Sequence, residues 1–279
     1  MSQISQSELS EEVEGQGDDA IVAISDPGEV NRAEHRRGDR AIVHISNVFA
    51  WLFPVLMIAI CAQVVLRGAG HNQAWLDDLQ WWVYGAAVMI GVGYAVTTNS
   101  HVRVDILYDN FPANKQRKID VFGLAWLFLP FIILCWDTTV SYAISSVVAD
   151  EGSDSPNGLH NLWILKVFMN VSFLFIGAAT WFAYVRCLSK LVTPLWWRKL
   201  LWAFPSAAFV MNLFVFYVAA GIILLTTEAD TMRLATRHWF FDEFAIGPED
   251  MKYTVALALV LTVALIGVAY VMRDRSEEA

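Results

Sequence analysis

"WWVYGAAVMIGVGYAVTTNSHVRVDI", residues 81–106, stays apolar through Val96 and turns polar from Thr97 onward. An α-helix rises 1.5 Å per residue, so about 20 mostly apolar residues cross roughly 30 Å of hydrocarbon. With the residues just before it, this run is long enough for one crossing. Its polar end alternates His101, Arg103 and Asp105 with Val102, Val104 and Ile106, as a connector at a membrane surface would.

Five further runs have the same character. The six fall at 41–66, 76–97, 120–147, 161–188, 203–226 and 252–272, separated by polar segments. The 279 residues are 56% hydrophobic and 17% charged, with a mean hydropathy of +0.45. A water-soluble domain carries about 25% charged residues. The expected fold is therefore an all-α integral membrane protein, a multi-span bundle of about six transmembrane helices. Pro54, Pro130 and Pro205 fall within runs. Membrane bundles tolerate such prolines because neighbouring helices can satisfy the carbonyls they free.

Short loops rich in Lys and Arg stay in the cytoplasm. Arg32, Arg36, Arg37 and Arg40 precede the first run; Arg103, Lys115, Arg117 and Lys118 follow the second; Arg186, Lys190, Arg198 and Lys199 follow the fourth; Arg273 and Arg275 come last. Only Arg67, Lys166, Arg233, Arg237 and Lys252 gather at the other end. Both termini and the 99–119 connector are expected to be cytoplasmic.

Residues 1–39 are read as an acidic, disordered cytoplasmic tail. The first 31 hold eight acids and no Lys or Arg, and such a segment buries too little apolar surface to order itself. A cleavable secretory signal is not expected, because the apolar stretch "IVAI" at 21–24 is too short. A four-helix region is placed at 40–190. The remainder, 191–279, is read as an interfacial helix and two further spans. That helix, "TPLWWRKLLW" at 193–202, has the Trp and basic residues that suit a headgroup layer. "RHWFFDEF", 237–244, reads either as part of an interfacial aromatic belt or as a docking patch.

Ionisable residues inside spans are costly and are candidates for function. Asp137 lies in the outer half of the third span, and Lys166 a turn or so into the fourth. They form either a structural ion pair, or two separate sites with Lys166 snorkelling to headgroups and Asp137 meeting water or backbone donors. Haem held between helices needs facing histidines. His35, His71, His101, His160 and His238 fall in tail or loops, and His44 lies near the start of the first span. Cys61, Cys135 and Cys187 are far apart, which argues against a disulfide framework or zinc site. No hydrolase, zincin or P-loop motif is present. Neither enzyme activity, a bound cofactor, a metal nor a nucleic-acid partner is expected. The inverted repeats and broken helices of a self-sufficient secondary transporter are also missing from the pattern.

One longer stretch carries a resemblance. "WLDDLQWWVYGAAVMIGVGYAVTTNSHVRVDILYDNFPANKQRKIDVFGLAWLFLPF", 75–131, resembles the small permease subunit (DctQ-like) of TRAP, or tripartite ATP-independent periplasmic, transporters. The matching features are Trp75, Leu76 and Asp77, with Asp78 beside them, before the second span, and His101 to Asp105 after it. A short basic helix at Arg117 to Asp120 then leads to Leu129, Pro130 and Phe131 in the third span. "EGSDSPNGLHNLWILK", 151–166, is similar to the family's acidic, Ser-bearing approach to its fourth helix. The resemblance covers roughly 41–190. The family's small subunits commonly have four helices, whereas this chain continues through two more. Its fourth helix also has Met169, Asn170, Val171 and Ser172 where the family has a Pro-Gly-like step.

The resemblance implies a complex in the bacterial inner membrane. A periplasmic substrate-binding protein delivers an organic acid to a large permease, which moves it by an elevator motion coupled to sodium ions. This chain would pack on the large permease's static scaffold, in membrane lipid, with the sodium and substrate sites in that partner. Trp75, Asp77, Asp78, His101, Arg103, Asp105, Asp137 and Lys166 are then interface or structural residues. The 99–106 connector is either a latch onto the large permease or an ordinary headgroup-level connector, since it offers too few ligands for a metal. The alternative to transport is a membrane anchor for a redox complex holding haem or quinone.

Overall fold

The computed structural model describes residues 32–100, 108, 110–227, 231–246 and 249–273. Among the described residues, six helices are long and apolar enough to cross a membrane: Arg37–Gly68, Ala74–Thr98, Ala113–Val148, Trp163–Ser189, Phe204–Thr226 and Tyr253–Val271. They are the first to sixth spans in chain order. Only 11% to 28% of an apolar 18-residue stretch in each is buried within the protein. The outward faces carry residues such as Ile58, Val65, Phe131, Leu174 and Phe214, which match the apolarity of lipid tails.

Two expected boundaries move. The basic "ANKQRKID" segment is not a separate helix but the opening turns of the third span, which starts at Ala113. At the other boundary, residues 32–39, expected in the tail, belong to the folded bundle. Arg32–Glu34 form a 3₁₀ turn and the first span starts at Arg37. Asp39, near its start, is completely buried. The disorder expected of residues 1–31 lies outside the described residues.

The spans pack in the order first, second, fourth, third, fifth, sixth, so the fourth is central to the family-like region and the third joins it to the last two helices. Small residues allow the close approaches, as is usual between membrane helices. A Cβ at Gly93 would lie 2.5 Å from the Phe175 ring, and one at Gly38 would lie 2.8 Å from the Phe182 ring. Ala179 and Ala183 of the fourth span are fully buried. At the end of the bundle that carries most of the basic residues, Val121, Ala125, Tyr184, Leu188 and Ala203 form a closed apolar cluster.

Pro130 reshapes the third span. Over Gly123–Phe128 the helix widens to a π turn, and the Leu129 N–H bonds to the Leu124 carbonyl, five residues back. In that register the next donor would be Pro130, which has no N–H. The Ala125 carbonyl that it leaves open accepts the Ser206 hydroxyl of the fifth span at 2.5 Å. One residue along, the Trp126 indole donates to the Trp202 carbonyl at 2.8 Å. Helix-on-helix rescue of a proline break therefore attaches the fifth span to the third.

The interfacial segment forms a short helix, Trp196–Trp202, between the fourth and fifth spans. Among the described residues the fold departs from an all-helical reading in one place. Before the sixth span, Trp239–Phe241 make a 3₁₀ turn, and β1 (Glu243–Ile246) pairs antiparallel with β2 (Glu249–Lys252). The "RHWFFDEF" aromatics pack against the middle of the fifth span and the start of the sixth, with Phe241 5.2 Å from Phe216 and Phe244 4.8 Å from Tyr253.

Candidate functional site

Polar side chains collect at the two ends of the bundle. At the basic end the centre is Arg186, near the end of the fourth span and 4% exposed. Its guanidinium forms an ion pair with Asp39 and donates to the Thr97 carbonyl at 2.6 Å. Thr97 is in the last turn of the second span, where carbonyls lack helical partners and carry the negative end of the dipole. Asp39 also accepts the Arg36 N–H at 3.0 Å, which caps the first span. One buried cation thus ties together the ends of the first, second and fourth spans. Nearby, Lys190 reaches Glu34 at 2.5 Å and holds the Glu34 carboxyl below its ordinary pKa. His35 is buried beside Arg186, and that burial, with the neighbouring guanidinium, lowers the imidazole's pKa.

Sequence pattern shows Arg186 only as part of the basic bias and puts Asp39 in the tail; neither residue signals the other. The second span ends at Asn99, which adopts a left-handed conformation (φ 56°) so that the chain turns sharply out of the helix. His101, Arg103 and Asp105 lie outside the described residues.

At the opposite end, the motifs around Asp77 and 151–166 meet in space. Asp78 accepts the Leu159 N–H at 2.9 Å, and Gly158 makes room, since a Cβ there would come within 2.6 Å of the Asp78 carboxylate. Asp77 accepts from Gln63 of the first span, which in turn accepts from Gln80. Arg67 adds a 3.4 Å ion pair to Asp77. Trp75 is 41% exposed and donates to the Gln73 side chain at 3.0 Å.

The Asp137–Lys166 ion pair, one of the two arrangements open from sequence, does not form. Lys166 instead bonds to Glu151, whose second partner is Ser146, and lies 3.9 Å from the Tyr142 ring centre. Snorkelling to headgroups does not describe it either, because Lys166 is buried and serves the loop preceding its own helix. The ammonium and the Ser146 hydroxyl hold the Glu151 carboxyl below its ordinary pKa. Asp137 accepts the Tyr217 hydroxyl of the fifth span at 2.7 Å. Asn170, at the position where the fourth helix departs from the family pattern, donates to the Trp136 carbonyl at 3.1 Å and to Thr139 at 3.0 Å. Each of these groups holds one element against another.

Residues 56–189, which hold Arg186, Thr97, Asp77, Asp78 and Lys166 but not Asp39, match the family model for tripartite ATP-independent periplasmic transporters, DctQ component. Those residues belong to the DctQ family. The DctQ match takes in the second, third and fourth spans and the last 13 residues of the 32-residue first span, and covers just under half of the chain. DctQ is a transporter component and not an enzyme family. The chain is thus a multi-pass membrane protein carrying a TRAP small permease component. No curated protein and no solved structure matches it.

Proposed function

We propose that this protein is the small membrane subunit of a TRAP transporter, seated on the scaffold of a large permease during binding-protein-dependent, sodium-coupled uptake of an organic acid. The DctQ match over 56–189 carries the reading. Arg186, Asp78, Lys166, Asp137 and Asn170 are all engaged in holding spans and loops together, which suits a subunit that adds rigidity and membrane footprint. Substrate and sodium sites then belong to the large permease. The subunit sits in a bacterial inner membrane with both ends in the cytoplasm, as the distribution of Lys and Arg supports.

The deciding experiment is co-purification of the tagged chain with a much larger multi-helix permease. A lone subunit that carries solute across liposomes by itself would overturn the proposal, and haem absorbance in the purified fraction would favour the redox anchor instead. Within this reading His101, Arg103 and Asp105 latch the subunit to the permease. Replacing Arg103 and Asp105 together with Ala should lower the yield of complex severalfold, and an unchanged yield rejects the latch.

A further inference from the structure

A groove of about 960 Å³ opens between the third, fourth and fifth spans, with Leu265 of the sixth at its edge. Its lining holds no charged side chain. The volume lies at the upper end of small-ligand pockets. Along the fifth span the lining runs from Ser206 to Val218, a helical rise of about 18 Å. Half of a bilayer's hydrocarbon core is about 15 Å. The groove therefore has the length and polarity of one acyl chain.

Its mouth at the basic end is built differently. Leu200 of the short helix lines the groove, and Arg198 and Lys199 come just before it in the chain. Arg198 lies 5.1 Å from the Trp197 ring, which meets Tyr270 edge-on at 5.3 Å. Arg273 sits 3.8 Å over Tyr270, and Lys199 lies 4.3 Å from Trp196. Arg198 and Arg273 thus share one aromatic pair, and Lys199 sits on the neighbouring Trp196. Between Asp154 and Glu228 the sequence contains no Asp or Glu. Aromatic and basic side chains at this level suit the headgroup layer, and cations there attract anionic lipid.

We propose that the groove is a binding site for an anionic phospholipid, with one acyl chain along the fifth span and the phosphate against Arg198, Lys199 and Arg273. The lipid fills the seam between the DctQ region and the two added spans. Gly177 leaves space for it: a Cβ there would meet Ile132 at an ordinary 3.8 Å, so a larger side chain extends into the groove and not into backbone.

The test uses the full chain in nanodiscs of equal phosphatidylglycerol and phosphatidylethanolamine, with delipidation in mild detergent and quantification of each lipid retained. The wild type is expected to keep phosphatidylglycerol preferentially. Arg198→Gln, Lys199→Gln and Arg273→Gln should each cut that preference by about fivefold, while Gly177→Leu should lower retention of both lipids severalfold. Equal retention of the two lipids by the wild type, or undiminished retention by Gly177→Leu, overturns the proposal. In chain extracted directly from its native membrane, recovery of a permease helix cross-linked from position 210, or of an isoprenoid quinone in place of phospholipid, overturns it as well.

Discussion

Arg186 is buried away from water, so its charge is tolerable only while Asp39 and the Thr97 carbonyl face it. Removing one partner of such a pair costs about 3–5 kcal/mol, because the other is left charged and unpaired. Arg186→Gln should therefore lower the thermal unfolding midpoint sharply in detergent, and adding Asp39→Asn should recover part of the loss. A single variant that melts like the wild type would remove Arg186 from its place at the centre of the basic end. Two further groups give a pH dependence. Glu151 has a depressed pKa in the folded protein, so its contribution is present above the ordinary value of 4.5 and is lost as pH falls through the lower, folded value. His35 is also depressed, below 6.5. The unfolded chain takes up its proton first, so stability declines as pH falls from 6.5 toward the folded value. Melting scans should show Glu151→Gln flattening the acid limb below about pH 4.5, while His35→Leu removes the earlier decline.

At the scale of elements, the third span carries a break that a second element mends. If Ser206 serves the carbonyl that Pro130 leaves open, Ser206→Ala should cost about 1–3 kcal/mol, the penalty for a buried acceptor left unsatisfied. In a Pro130→Ala background the helix supplies its own N–H and the same change should cost much less. Equal costs in both backgrounds, read from unfolding midpoints, would refute the coupling. Pro130 was legible in the sequence as a break that some neighbour must satisfy, but which neighbour was not. The span lengths were legible because bilayer thickness imposes them on any chain. The partners of Asp39, Asp137 and Lys166 were not, since they depend on contacts 147, 80 and 15 residues away and not on local pattern. The same limit hid the meeting of Asp78 with Leu159, although each belongs to a stretch that resembles the family.

For the whole molecule, six crossings put both ends on one side whichever way the bundle is inserted. The proposed orientation, argued from the basic bias, puts them in the cytoplasm. Fluorescent-protein fusions at Met1 and Ala279 should both fluoresce, and alkaline phosphatase fusions at either terminus should be inactive. An active phosphatase at one end only would show that one of the six helices does not cross.

The packing order of the spans has a consequence for how such a protein can grow. The last two helices attach along the flank of the third span, on the side away from the first and second. A two-helix extension can join there without re-threading or re-pairing any of the preceding four. Separable in topology, the two parts are not separable in hydrogen bonding: cutting the extension back would reopen the Ala125 carbonyl and take Tyr217 from Asp137.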